Sequence, residues 1–317
     1  MILALVTPHT AGDPMSKQKW LNCRLVDLQE QLDRAGHPVS KPVLSRILRA
    51  HAYSLQANLK QDAGKQHPDR DQQFGYIRTQ RAAHQGVGQP VISVDTKKKE
   101  LVGNFKNAGQ VWCQAPERVD AHDFPQDALG RAVPYGIYDL QANCGTVYVG
   151  QSADTPMFAV ENIARWCCTA LADRYPHATQ VLIEADSGGS NGARSRVWKW
   201  GLQEKVADRF GLTITVCHYP PGTSKWNPIE HRLFSEVSKT WAGCPLRSFD
   251  LVLQYIRETK TQTGLTVQAH LVPDAYQRGV KVPDTVMATL NIQAHAICPI
   301  WNYTIRPRDG STLALPV

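Results

Sequence analysis

The chain has 317 residues, 42% of them hydrophobic and 20% charged, with a formal charge of +7; this is the composition of a globular protein with room for two domains. No apolar run approaches the roughly 20 residues that span a bilayer, and the opening MILALV is too short for a signal peptide, so a cytoplasmic protein with no membrane partner is expected. The 8 cysteines are scattered without a Cys-x-x-Cys pair, which speaks against a zinc site or a disulfide framework.

Residues 1–85 hold 5 Lys and 7 Arg against 6 Asp and 1 Glu, so most of the excess positive charge sits there, and a polyanionic partner would dock there first. From Trp20 to Ala35, Leu21, Leu25, Leu28 and Leu32 recur at helical spacing, and Gly36 closes the helix. Ser40 is placed as the N-cap of a second helix that turns Val43, Leu44, Ile47 and Leu48 inward and Lys41, Ser45, Arg46 and Arg49 outward. Two short helices, the second basic on its free face, form a helix-turn-helix candidate over residues 1–60; a plain helical hairpin fits the pattern equally well. Tyr53–Lys60 reads as a wing or arm, Gln61–Asp71 as a linker, and Asp71–Gln85 as a connecting helix, so that 61–85 joins the two regions.

Val91, Ile92 and Val94 then make an apolar strand that ends at Asp95, followed by Thr96 and the run Lys97, Lys98, Lys99. Leu101–Trp112 is rich in turn formers and suggests a hairpin or flap, and a polar, proline-containing surface excursion follows. Strands are expected at Tyr135–Leu140 and Thr146–Val149, and a helix at Phe158–Tyr175. A strand through Val181–Ile183 ends at Glu184-Ala185-Asp186. A helix over Arg194–Phe210, a strand over Leu212–Cys217 and a helix over Asn227–Trp241 complete an α/β domain with a mixed sheet, residues 86–245. Residues 246–317 are expected to form a helical extension packed on it.

Asp95 and Asp186 each end a buried strand, and Glu230 sits in the first turn of the helix that follows the last strand, behind Asn227 and Pro228. Three acids on three elements suit two divalent ions roughly 3.5–4 Å apart, the clamp used in phosphoryl displacement. Singly, Asp95 and Asp186 also suit turns and Glu230 also suits a helix dipole.

The segments VISVDTKKKELVGNFKNAG, YGIYDL, ADSGGSNG and CHYPPGTSKWNPIEHRLFS, in this order, resemble the DDE transposases of bacterial insertion sequences, specifically the Rhodopirellula-type DDE transposase family, over roughly Thr7 to Ile305. The resemblance implies a ribonuclease H-like mixed sheet flanked by helices, preceded by a small all-α helix-turn-helix region that is truncated at its start here. It implies Asp95, Asp186 and Glu230 as catalytic metal ligands and Mg²⁺ or Mn²⁺ as cofactor. It also implies metal-dependent cleavage at element ends and strand transfer into target DNA, by a homo-oligomer on terminal inverted repeats. The competing reading is a non-catalytic DNA-binding protein derived from a decayed or repurposed transposase.

Lys97, Lys98 and Lys99, together with Lys41, Arg46 and Arg49, are expected to meet phosphate, and Lys225 with Trp226 to meet a DNA strand, Trp226 by stacking. Glu184 shares the strand face of Asp186 and is the alternative acid. Asn191 and Asn227 are candidates for positioning groups around the metal, whereas Asp139 reads as structural or as a support behind the metal ligands, and His231 as structural or facing DNA.

Overall fold

The computed structural model describes residues 10–12, 19–21, 23–51, 53 and 67–308. They fall into two units, Met1–Ala63 and Gly64–Val317. In the first, strands β1 (Thr10–Gly12) and β2 (Lys19–Leu21) form an antiparallel ribbon. Helices α1 (Leu25–Arg34) and α2 (Lys41–Ala50) follow and share a core of Leu28, Leu32, Leu44 and Leu48. The expectation of an all-α region is thereby corrected, and Trp20 belongs to a strand rather than to the helix. The helix starts later because Asp27 caps it, accepting the Arg24 N–H at 3.0 Å. Gly36 ends α1 in the left-handed region with φ of 79°. Ser40 stands at the N-cap of α2, but its hydroxyl caps nothing there. The expected wing, beyond Tyr53, and linker residues 61–66 lie outside the described residues.

In the second unit, α3 (Arg70–Gly86) leads into β3 (Val91–Thr96), a strand whose first four residues are fully buried. The chain continues through β4 (Glu100–Val102), β5 (Gly130–Asp139), β6 (Cys144–Gly150), α4 (Pro156–Arg174), β7 (Gln180–Asp186), α5 (Arg196–Leu202) and β8 (Thr213–Tyr219). A π-helical turn, Glu230–Phe234, then enters α6 (Ser235–Thr240). After α7 (Phe249–Glu258) come β9 (Thr266–Val272), α8 (Asp284–Met287), β10 (Ile292–Ala294) and β11 (Asn302–Ile305).

The nine-stranded sheet runs β10-β11-β8-β7-β3-β5-β6-β9, with β4 added on β5. Its inner five strands, β6-β5-β3-β7-β8, combine an antiparallel meander of β3, β5 and β6 with the parallel neighbours β7 and β8. That is the ribonuclease H-like arrangement. The carboxyl-terminal residues are helical only in part: α7 packs on the core, while β9, β10 and β11 extend the sheet at both edges. Thr266–His270 alternates exposed and buried positions, the period of a half-covered edge strand. Likewise, Leu101–Trp112 makes no hairpin of its own, because β4 pairs with β5.

Period-two alternation on the central strands divides the core in two. Ile92, Val94, Val181, Ile183 and Ala185 face α4 and α5, where Phe158, Trp166 and Trp198 are buried. The other face packs Val91 and Leu182 under Ile77 of α3. It also packs Tyr138 and Val147 under Ile229, Leu233 and Phe234. Each such fully buried side chain contributes roughly 1.5–3 kcal/mol, and this second face carries the candidate site. Among the described residues no helix is long and apolar enough to cross a membrane.

Candidate active site

Strands β3 and β7 run parallel, and their register ends at Val94 opposite Ala185. One residue further, Asp95 and Asp186 stand on adjacent strands about 4.8 Å apart, on the sheet face opposite Val94 and Ala185. The third acid arrives through Asn227, whose Nδ2 donates to the Val94 carbonyl and to Asp186 Oδ1, each at 3.4 Å. Ser93 Oγ donates to Asn227 Oδ1 and itself accepts the Ile229 N–H at 3.1 Å. The start of the helix is thus tied to the middle of β3, and Glu230, the next residue, comes near enough to Asp95 for its charge to act on that carboxyl. Gly136, paired across from Asp95, makes this approach possible. A Cβ there would lie 2.5 Å from Phe234 and 2.9 Å from Ile229.

Burial, then the charge of Asp186, then Glu230 push the Asp95 carboxyl up to about 8, against the single opposing effect of the Thr96 N–H donated at 2.7 Å. Burial and Glu230 push Asp186 up to about 6, while the Asn227 hydrogen bond opposes the rise. Among the described residues none of the three acids has an ion-pair partner. A cluster of carboxylates without a cation of its own accumulates protons instead, and can exchange them for an external cation.

Glu184 has a different role. Fully buried, it takes a two-point ion pair from Arg81 of α3, with distances of 2.7 and 2.6 Å, and a hydrogen bond from the Tyr219 hydroxyl at 2.8 Å. Its oxygens are committed, which removes it as an alternative to Asp186. Nothing in the local sequence announces the Arg81 partner. His218 also went unnoticed: its Nδ1 lies 2.8 Å from the Asp186 carbonyl, and burial pushes it down to about 4, so the ring is neutral. Asn191 accepts from the Tyr135 hydroxyl at 3.0 Å and approaches the Val94 carbonyl behind the acids. Asp139 is buried beneath Arg174 and Tyr175, away from the cluster, while His231 is exposed. Another missed acid, Asp154, accepts from Thr96 Oγ1 at 3.1 Å and pairs with Lys99 at 3.1 Å.

Of the three lysines expected to meet phosphate, Lys98 is 83% exposed. Lys99 is held by Asp154, and Lys97 is corrected to a packing group. Its side chain is 7% exposed, with the ammonium 3.4 Å from Glu100 and 4.7 Å from the centre of the Trp241 ring. Burial lowers its pKa, and Trp241, far along the chain, supplies the cover. Trp226 is 51% exposed, with the Lys225 amine over one side and Phe74 at its edge. Lys41, Arg46 and Arg49 are all exposed on α2.

A family model, described as the Rhodopirellula transposase DDE domain, matches residues 1–307. The chain belongs to this family. Like other DDE transposases it is a DNA-cleaving and strand-transferring enzyme. Among solved structures, the Mos1 transposase paired-end complex with the left transposon end is similar at 14% identity and TM-score 0.45, over 81% of this chain and 69% of that one. The Mos1 mariner paired-end complex with Mn gives 12% and 0.47 over the same shares. A pre-cleavage Mos1 transpososome gives 13% and 0.47, again over 81% and 69%. No curated protein matches the transposase chain.

The DDE family implies a divalent metal. Among the described residues no three His, Cys, Asp or Glu side chains are already spaced to hold one. The donor chemistry nonetheless fits: all three candidates are carboxylates, the ligand type of Mg²⁺ and Mn²⁺. Burial first, and the neighbouring acids second, raise Asp95 and Asp186, the environment that a bound cation would relieve.

Proposed function

We propose that Asp95, Asp186 and Glu230 are the catalytic acids of this transposase and hold Mg²⁺ or Mn²⁺, the number of carboxylates suiting a pair of ions. The observation that carries this reading is the Asn227 link, which ties the start of the Glu230 helix to Asp186 and to the Val94 carbonyl beside Asp95. When bound, the metal supplies Lewis acidity toward the phosphoryl oxygens. The chain's own residues do the rest. Burial among like charges favours the protonated form of Asp95 in the metal-free protein, and a bound cation would favour its ionised form. Asn227 and Ser93 hold Glu230 in register with the two strands, and the apolar cover of Ile229 and Phe234 restricts water.

The exposed basic face of α2, through Lys41, Arg46 and Arg49, supports its reading as the DNA-recognition helix of residues 1–60. The open positions of Lys98, Lys225 and Trp226 support contacts with substrate DNA. We assign residues 86–245, with the added edge strands, to the catalytic domain. The substrates are the element's terminal repeats and target DNA, and the enzyme acts as a homo-oligomer on them, in the cytoplasm at the nucleoid.

The test is Asp186→Asn, assayed on duplex DNA carrying the sequences that flank the gene. Loss of a metal ligand removes several kcal/mol of transition-state stabilisation, and each ~1.4 kcal/mol is tenfold in rate. Cleavage in Mg²⁺ should fall by orders of magnitude while binding in Ca²⁺ persists. Retained cleavage would overturn the assignment.

A further inference from the structure

Beside the carboxylate cluster lies a cleft of about 610 Å³ between the start of α4, the start of α5 and the loop that follows β9. It adjoins the candidate site through one residue: Asp154, in its wall, accepts from Thr96, the neighbour of Asp95. The walls are of two kinds. Met157, Val197, Val280 and Val282 give an apolar lining, and Val280 is 44% exposed to the opening. The rim is basic. Arg278 and Lys281 are exposed, and among the described residues neither has an ion-pair partner. Arg196 is tied to Asp284 at 2.6 Å. The single wall acid, Asp154, is already matched by Lys99.

Free cations above an apolar floor fit a ligand that is anionic along one edge and flat and apolar along the other. A nucleotide of a DNA strand has that form. The volume falls within the range of small-molecule sites, roughly 300–1,000 Å³, so it admits one or two nucleotides and excludes a duplex. A strand can enter only where pairing has been lost, which is the state of DNA opened next to a cleavage point.

We propose that this cleft receives an unpaired segment of the DNA strand adjoining the cleavage site, its phosphates on Arg278 and Lys281 and its bases against Val280 and Met157; the assignment rests on the reading of Asp95, Asp186 and Glu230 as the cleavage centre. Arg278, Lys281 and Val280 lie on an exposed loop outside that centre, so they can be changed without disturbing it.

The experiment uses the full chain in Ca²⁺, with a 20-nucleotide oligothymidylate and a blunt 20-base-pair duplex as probes, over a salt titration. Reversing both charges (Arg278→Glu with Lys281→Glu) should weaken oligothymidylate binding at least tenfold. The slope of log affinity on log salt should fall by about 1.4, the loss of two single-strand phosphate contacts at ~0.7 each. Duplex affinity should stay within twofold. The double alanine variant should show the same slope change with a smaller loss, and Val280→Asp should weaken the oligothymidylate alone. Unchanged oligothymidylate binding, or an equal loss on duplex, would overturn the proposal. Failure of the parent reading looks different: the Asp186→Asn protein would still cleave DNA in Mg²⁺, while the cleft variants kept their selective loss.

Discussion

Asp95→Asn should make the metal-free protein more stable while destroying its activity. The Asp95 carboxyl has an ordinary value of 3.8 and is raised to about 8 in the fold. At pH 7 the unfolded chain ionises this group and the folded chain keeps it protonated, so folding takes up a proton. The cost at pH 7 is about 1.4 kcal/mol for each of roughly three pH units, or ~4 kcal/mol. The sign follows from the proton count. Because the folded state binds more protons between the two values, stability is greatest below pH 4 as far as this group is concerned, and is lost as pH rises toward 8. Asn keeps an oxygen for the Thr96 N–H and offers an NH₂ to Glu230, so the shape survives and the proton uptake does not. Some of the burden passes to the remaining acids, so the net gain at pH 7 should be about 2–4 kcal/mol, roughly 5–10 °C in melting temperature for a unit of this size. The assay is thermal and urea unfolding in EDTA between pH 6 and 7.5. Wild type should lose ~1.4 kcal/mol per pH unit more than the variant across that window. Addition of Mg²⁺ should raise the wild-type melting temperature and leave the variant nearly unmoved. A variant less stable than wild type at pH 7, or one with the same pH slope, would refute the electrostatic account of the cluster.

Arg81→Ala strands the fully buried Glu184 without a cation, and should cost about 3–5 kcal/mol in urea unfolding, with Arg81→Lys recovering only part because it lacks the two-point fork. Gly136→Ala places a methyl group against Phe234 and Ile229; it should destabilise by about 1–3 kcal/mol and lower the cleavage rate by displacing Glu230, both read on the same preparation. Removing residues 1–60 should weaken binding to element-end DNA in gel shifts far more than it weakens Mn²⁺ binding by titration calorimetry; equal DNA affinity would show that α2 is not the recognition helix. Trp226→Ala should weaken single-stranded DNA binding by about 1–3 kcal/mol and leave unfolding nearly unchanged, since the ring is half exposed.

The central strands and the place of each acid were legible in the sequence, because apolar runs such as Val91–Val94 and Val181–Ile183 are read locally and the acids stand at their ends. The helix of Glu230 was legible for the same reason, from Asn227 and Pro228 at its start. The ribbon of β1 and β2 and the strands β9 to β11 were not. These short segments become strands by pairing with partners that lie elsewhere in the chain, as β11 does with β8, and even the alternation along β9 does not say which strand it joins. The fate of polar side chains was least legible. Lys97, Lys98 and Lys99 are one run in the sequence, yet Trp241 and Glu100 bury the first, Asp154 holds the third, and the second, 3.7 Å from Glu100, stays largely in solvent. Glu184 and Asp186 share a strand face, and only Arg81, arriving from α3, makes one a structural ion and leaves the other available. Local sequence sets backbone preference and the side of the strand on which a residue stands. Whether a charge there is neutralised, buried or free depends on which distant groups the fold brings within a few ångströms, and the tertiary structure alone decides that.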